Sequence, residues 1–466
     1  MSTLMSDAFV FFGATGDLAY KKIFPALQAM AAQGGLEMPV IGLGRSPWSL
    51  DQFIARARSS IETHSTLNPE AFKSLSGRLQ YISGDYNDDA TFQQLQEALR
   101  GAVRPLFYLA IPPAMFPVVI DALSRHGCAN SARVIVEKPF GRDLSTAKAL
   151  NDLLIKAFAP SDIFRIDHYL GKEPVQNLLY FRFSNSFLEP IWNRDYISSV
   201  QITLAEAFGV QGRGGFYESA GAIRDVVQNH LLQVLTLLTA DMPIDGQPEA
   251  MRDAKLKVFE AMRPILPAQA VRGQFKGYRD EAGVAPDSQV ETFVAFCLHI
   301  DNKRWAGVPF FIRAGKELPV TATEVLVKLK PPARTIFDSP APDQSNYFRF
   351  RISPEVVISV GTRIKKPGTV MAGEGVELIV CQDPMEDMPP YQRLLGDAIE
   401  GNTALFARYD SIEAAWRVVT PILGNQTPVQ MYEPHTWGPH DATAIAQGDG
   451  GWRDPTLTEG SCVETR

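Results

Sequence analysis

Few cysteines and no long apolar run set the first limits on this chain. Cys128, Cys297, Cys381 and Cys462 are widely scattered and none forms a C-x-x-C pair. That spacing argues against a disulfide framework and a thiolate zinc site, and it fits a reducing, cytoplasmic setting. No apolar stretch reaches the ~18 residues that a membrane span needs. The opening "MSTLMSDAFVFFGATG" has no basic region followed by a long apolar one, so neither a membrane partner nor a secretory signal is expected. Positive charge is short too: 45 Lys and Arg against 52 Asp and Glu leave a formal charge of −7. Without a basic field, a nucleic-acid partner is not expected. The seven histidines show no local metal-ligand spacing, so no metal is expected either.

What is present is a long soluble-type chain of 466 residues, enough for two domains. Buried-strand candidates stand at residues 8–12, 38–44, 79–86, 104–113 and 132–140, with helical stretches between them. Strands alternating with helices predict a parallel sheet covered on both faces, an α/β Rossmann-like domain. The rhythm stops near residue 165. Beyond it lie longer, alternating strands at 197–208, 290–301, 323–330, 347–354 and 376–382, with few helices between them. They predict a larger β+α domain with a mostly antiparallel, mixed sheet. The expected division is therefore 1–166 for dinucleotide binding and 167–466 for substrate binding and oligomerisation.

The first motif is "FVFFGATGDLA". Gly13 and Gly16 follow a strand directly, in a G-x-x-G-x-x-A relative of the dinucleotide fingerprint. Glycines let the backbone approach a pyrophosphate, and the helix N-terminus supplies N–H groups with positive partial charge. Thr15 adds a hydroxyl, and Asp17 and Leu18 complete the turn. A tight strand–helix turn with no ligand has the same local signature, but its place at the head of a strand–helix series favours a nucleotide. At the end of the second candidate strand, "VIGLGRSPW" offers Arg45 and no carboxylate. An acidic residue there suits the ribose of NAD, whereas arginine suits an added 2′-phosphate. NADP is the expected cofactor, with NAD as an alternative.

The second motif is "RIDHYLGKE", residues 165–173. His168, Tyr169 and Lys172 are donors of different reach, as a phosphate dianion requires. Standing alone the segment would read as a surface loop. Farther on, residues 223–240 are apolar on nearly every face and predict a buried helix, yet its first turns carry Asp225, Gln228, Asn229 and His230. Unpartnered burial of such groups costs roughly 2–7 kcal/mol apiece, so protein or ligand must satisfy them. A histidine near its usual pKa is a natural general base at neutral pH and needs a carboxylate to orient it. Asp167 and Asp225 are both candidates. In an α-helix Asp225 stands about 140° round from His230, which favours Asp167.

These segments, together with "FYLAIPP", "RVIVEKPFGRDL", "IWNRDYI", "GRGGFYESAGAIRDVVQNHLLQ", "RWAGVPFFIRAGKELP" and "YQRLLGDAIEGNTALF", resemble the motifs of the glucose-6-phosphate dehydrogenase family, in order, over residues 8–439. The resemblance implies oxidation of D-glucose 6-phosphate to 6-phospho-D-glucono-1,5-lactone with hydride transfer to NADP, the first step of the oxidative pentose phosphate pathway. It implies that His230 is the base and Asp167 its paired carboxylate. It implies substrate-phosphate contacts at His168, Tyr169 and Lys172, and sugar-hydroxyl contacts at Lys138, Glu206, Asp225 and Lys316, with Gln382 as a further substrate-side residue. Lys22, Arg45 and Lys138 join Gly13, Thr15, Gly16, Asp17 and Leu18 on the cofactor side. A homodimer or homotetramer, built through the large sheet, is implied as well.

Two departures stand out. Thr321 occupies the position where the family usually has a second phosphate-binding cation, and Tyr20 stands where lysine is common. The first leaves room for a weaker hold on the phosphate, or for glucose itself or another hexose or amino-hexose 6-phosphate as substrate. A catalytically silent NADP-binding sensor is the alternative from another class. Retention of Asp167, His230, Lys138 and Lys172 argues against it.

Overall fold

The computed structural model describes residues 5–334, 346–368, 371–380 and 388–456. It divides into two compact units. The first holds residues 1–173, 245–252 and 387–412, and the second holds 174–244, 253–386 and 413–466. Two contiguous spans meeting at 166/167 were expected. The first unit instead also takes in residues 167–173, 245–252 and 387–412.

The first unit is built on a six-stranded parallel sheet of β1 (Ala8–Phe12), β2 (Val40–Gly44), β3 (Leu79–Ser83), β4 (Pro105–Leu109), β5 (Arg133–Glu137) and β6 (Ile163–Ile166), in the order β3-β2-β1-β4-β5-β6. β1 is central, aligning Phe9 with Val40 on one side and Leu106 on the other. All five β1 residues are fully buried, as a strand covered on both faces must be. Phe9 and Phe11 pack into a core with Phe24, Leu27, Phe53 and Ile61. Phe12 points the other way, against Tyr86, Phe92 and Phe107. Each buried phenylalanine contributes roughly 1.5–3 kcal/mol by the usual area relation. The late segment joins because helix Pro390–Glu400 inserts Leu394, Leu395, Ala398 and Ile399 into that same core. Side-chain caps set several helix starts, as where Ser49 and Gln52 form a reciprocal capping box before Leu50–His64.

The second unit carries a nine-stranded sheet: β7 (Ile197–Ala205), β8 (Ala270–Phe275), β9 (Phe293–Leu298), β10 (Phe310–Gly315), β11 (Ala322–Leu329), β12 (Tyr347–Ser353), β13 (Val357–Lys365), β14 (Gly373–Val380) and β15 (Val429–Tyr432). The order is β14-β13-β12-β11-β7-β10-β9-β8-β15, antiparallel except for β10–β7 and β15–β8. Its alternating pattern suggests one wet face, but the polar face is buried too. Arg313, Arg349 and Arg351 are each no more than 2% exposed. Arg349 meets Glu377 through two bonds of 2.7 and 2.8 Å, and Arg351 reaches Glu324. The turn-rich C-terminal stretch closes over this face: Asp449 bonds Ser199 and Lys328, and Asp454 bonds Arg313. Paired and hydrogen-bonded, these charges can stay buried where single ones could not.

Candidate active site

In the first unit the sheet order reverses between β1 and β4, and ligands of such sheets bind in the crevice outside the strand ends there. The Gly13 turn lies at that point. Gly13 has φ +76°, and a Cβ on it would stand 2.2 Å from the carbonyl oxygen of Ala110. Only glycine brings the backbone this close. The turn is pinned from below: the Tyr86 hydroxyl accepts from Gly13 N–H at 2.8 Å and reaches the Leu43 carbonyl at 3.2 Å. Burial pushes the Tyr86 phenol upward, so it stays protonated. Thr15 is partly exposed, Gly16 and Asp17 are exposed, and the helix opens at Asp17 and Leu18, where first-turn N–H groups have no intrahelical acceptor. The next residues, Ala19–Ile23, wind as a π-helix with Lys21 and Lys22 exposed.

Arg45 is exposed just past β2, and its charge is felt by Asp85 and Tyr86. Hydrogen bonds from Asn87 are the main reason the Asp85 carboxyl lies below its ordinary range. The donor set fits a phosphorylated dinucleotide: a glycine cradle, a helix N-terminus and an exposed guanidinium. Tyr20 does not face this set. Its hydroxyl bonds Ser59 and Thr63, and the Arg56 guanidinium lies 3.7 Å from its ring centre.

Farther along the same sheet edge, β5 ends at Glu137 beside Lys138, and β6 ends at Ile166 just before Asp167. The Glu137 carboxylate accepts from the hydroxyls of Tyr108 and, at 3.1 Å, Tyr391. Burial raises its pKa against those bonds and against Lys138. Glu137, Tyr108, Tyr391 and Tyr86 were not selected from the sequence. The quoted motifs around the first three were the only signal.

Asp167 is buried and its Oδ1 accepts from Tyr169 N–H at 3.1 Å. Successive i→i+3 bonds then run from Leu170, Gly171 and Lys172 to Asp167, His168 and Tyr169. This tight winding stacks the donors: the Lys172 ammonium lies 3.7 Å from the Tyr169 ring centre, and the His168 and Tyr169 rings are 5.3 Å apart. Gly171 packs closely, since a Cβ there would stand 3.0 Å from Leu394 and 3.2 Å from the Pro390 carbonyl oxygen.

In the second unit, parallel β7 and β10 end in register at Ala205 and Gly315. The residues that follow, Glu206 and Lys316, form an ion pair at 2.5 Å, with Lys316 only 3% exposed. The Lys316 ammonium also lies 5.1 and 5.3 Å from the ring centres of Phe208 and Tyr217. Burial, then the charges of Asp225 and Glu206, drive the Tyr217 phenol well above its ordinary pKa, which marks these groups as neighbours. Thr321 is exposed and its Oγ1 accepts from Ala207 N–H at 2.9 Å.

The buried helix differs from expectation in its winding. Ile223–Leu231 is π-helical, and α-helix resumes over Leu232–Thr239. Bonds run i→i+5 in such a segment, as from Leu232 N–H to Val227. Residues five apart therefore stack on one side. Asp225 and His230 are five apart, so the 140° separation of an α-helix does not hold, and that reason for preferring Asp167 over Asp225 falls away. His230 is 1% exposed, and its N–H donates to Asn229 Oδ1 at 2.6 Å. Asn229 Nδ2 donates in turn to the Arg224 carbonyl. Gln382 lies outside the described residues.

A parallel sheet with a glycine turn at its switch point, joined to a sheet unit that buries the His230 imidazole and the Lys316 ammonium, defines a two-domain protein of the dinucleotide-binding class. Comparison with known proteins narrows this. The family model described as "Glucose-6-phosphate dehydrogenase, NAD binding domain" matches residues 10–177, and "Glucose-6-phosphate dehydrogenase, C-terminal domain" matches 179–453. Glucose-6-phosphate 1-dehydrogenase 1 of Mycobacterium bovis is 43% identical over 460 residues, 98% of each chain. A crystal structure of glucose-6-phosphate 1-dehydrogenase from Mycobacterium avium superposes with TM-score 0.91 at 42% identity, covering 97% of this chain and 99% of that one. A glucose-6-phosphate dehydrogenase solved with its substrate glucose 6-phosphate gives TM-score 0.89 at 35% identity, covering 98% and 100%. The chain belongs to the glucose-6-phosphate dehydrogenase family.

Proposed function

We propose that this protein oxidises D-glucose 6-phosphate to 6-phospho-D-glucono-1,5-lactone, the entry reaction of the oxidative pentose phosphate pathway, with NADP as preferred cofactor. The observation that carries this reading is the match to both family domains, with 43% identity to a glucose-6-phosphate 1-dehydrogenase over 98% of the chain. NADP, when bound, accepts the hydride from the hemiacetal carbon. The Gly13–Leu18 turn and Lys22 would hold its pyrophosphate, and Arg45 its 2′-phosphate. His168, Tyr169 and Lys172 would grip the sugar phosphate, whose charge matches their donors. Lys138, Glu206, Asp225 and Lys316 would fix the hydroxyls, with Gln382 as a further contact.

His230 takes the proton of the anomeric hydroxyl, and Asp167 stabilises the imidazolium that results. Histidine suffices because that hydroxyl sheds its proton as the carbonyl forms. A cytoplasmic setting is supported by Cys128 and Cys297, both free thiols. Assembly into a homodimer or homotetramer is supported by β14, the edge strand among the described residues, which exposes Leu378, Ile379 and Val380.

The test is reduced-cofactor absorbance with NADP or NAD against glucose 6-phosphate, glucose and glucosamine 6-phosphate. Turnover should be best with NADP and glucose 6-phosphate, and His230→Asn should lower kcat at least about 10²-fold, the lower range of general-base effects. No reduction with any pair would favour the silent sensor. Better turnover of another sugar would move the assignment to that sugar.

A further inference from the structure

Glu291 is assigned no role in the reading above, yet it is tied to the start of the helix that bears Asp225 and His230. It precedes β9 in sequence and is 2% exposed. Its Oε1 accepts from Ile223 N–H at 3.2 Å, and its main-chain carbonyl accepts from Ala222 N–H at 2.9 Å. Both N–H groups belong to the helix entry, where the chain itself provides no acceptor. Its Oε2 accepts from Arg272 Nη2 at 2.7 Å and Nε at 3.3 Å. Arg272 is equally buried and is fixed by donating to the carbonyls of Thr427 and Gln289, each at 2.7 Å. The chain makes room for this carboxylate: Gly221 has φ +66°, and a Cβ there would lie 2.4 Å from Glu291 Oε1.

The helix needs such an anchor because its first nine residues are π-wound, a register uncommon beyond a single turn. An α-wound alternative would turn Asp225 and His230 to different sides. A carboxylate at the first N–H groups, itself held by a buried guanidinium, sets where the winding begins and adds a favourable charge at the positive end of the helix dipole.

We propose that Glu291, held by Arg272, is a positioning residue that fixes the π-wound register of the segment carrying the sugar-binding Asp225 and the base His230. This rests on the functional reading given above. Misplacing a reacting group by about 1 Å can cost on the order of 10²-fold in rate. Glu291→Ala should therefore lower kcat 10- to 100-fold and raise KM for glucose 6-phosphate, leaving KM for NADP unchanged. The deuterium isotope effect on kcat with 1-deuterated glucose 6-phosphate should rise, as hydride transfer becomes slower relative to product release. The double variant Arg272→Met/Glu291→Gln, which keeps an oxygen facing Ile223 N–H without a lone buried charge, should recover most of kcat. A purely structural role would lower the melting temperature and the active fraction, with both KM values and the isotope effect as in the parent; that result overturns the proposal. So does a Glu291→Ala enzyme whose kcat is within twofold of the parent. His230→Asn serves as the control. If it stays active the functional reading fails, whereas loss there with Glu291→Ala unaffected sinks the positioning role alone.

Discussion

The family resemblance puts Thr321 at a position where a cation is usual, and its hydroxyl is occupied as an acceptor for Ala207 N–H just past the end of β7. The residue is exposed, so a longer side chain meets no steric bar there. In the proposed reading, His168 and Lys172 remain as donors for the sugar phosphate, and one cation fewer would weaken the hold. A hydrogen bond to a charged group contributes about 1.5–3 kcal/mol. Thr321→Arg is expected to lower KM for glucose 6-phosphate about tenfold, the low end of that range, with kcat nearly unchanged. Initial rates across a substrate series decide it, and an unchanged KM would show that Thr321 lies off the phosphate path. In the proposed reading, preference for NADP over NAD rests on another residue, Arg45, and should not move.

At the scale of elements, the strand β1, its turn and the following helix form one device. The turn works only because Gly13 takes a positive φ and passes within van der Waals reach of Ala110. Gly13→Ala would force a Cβ against a main-chain oxygen in a backbone region that costs non-glycine residues on the order of 1–3 kcal/mol. The expected outcome is a lower melting temperature and a KM for NADP raised at least tenfold, measured by thermal melts and cofactor titration. KM for glucose 6-phosphate should change far less. This device was legible in the sequence, as were β1 to β5, because buried parallel strands are continuous apolar runs punctuated by glycine. β6 was missed, being only four residues long. β8 and β13 were missed for a different reason. Buried Arg272, Gln274 and Ser359 break their apolar pattern, and only tertiary partners make such residues tolerable inside. The π-winding of Ile223–Leu231 leaves no compositional trace, since an i→i+5 ladder uses the same side chains as an i→i+4 one. The candidate residues could therefore be picked out, while the angular relation between Asp225 and His230 could not.

At the scale of the whole molecule, the first unit is completed by chain that comes from far along the sequence, and its stability should report on that segment. Helix Pro390–Glu400 brings buried apolar residues to the core, but it also brings Asp397 near its own C-terminus. Burial raises the Asp397 carboxyl to about 6, with Glu400 adding to the shift, while Asn402 and Arg393 oppose it. Asn402 Nδ2 donates to Asp397 Oδ1 at 2.8 Å. The sign follows from proton linkage. Between roughly pH 4 and 6 the folded state binds more protons at this site than the unfolded state, so its contribution to stability falls as pH rises and is flat above. Below about pH 3 the group is neutral in both states and costs nothing. Asp397→Asn keeps an oxygen for Asn402 and removes the ionisation. The variant's advantage should be small at pH 4, vanishing below about pH 3, and should reach about 1–2 kcal/mol at pH 7 to 8, after allowance for partial exposure. Calorimetric melts at the two pH values measure the difference, and in the variant-minus-parent comparison the other carboxylates cancel. A variant advantage that is the same at both pH values would mean that Asp397 is ionised in the fold without penalty, and that the late helix is held by its apolar face alone.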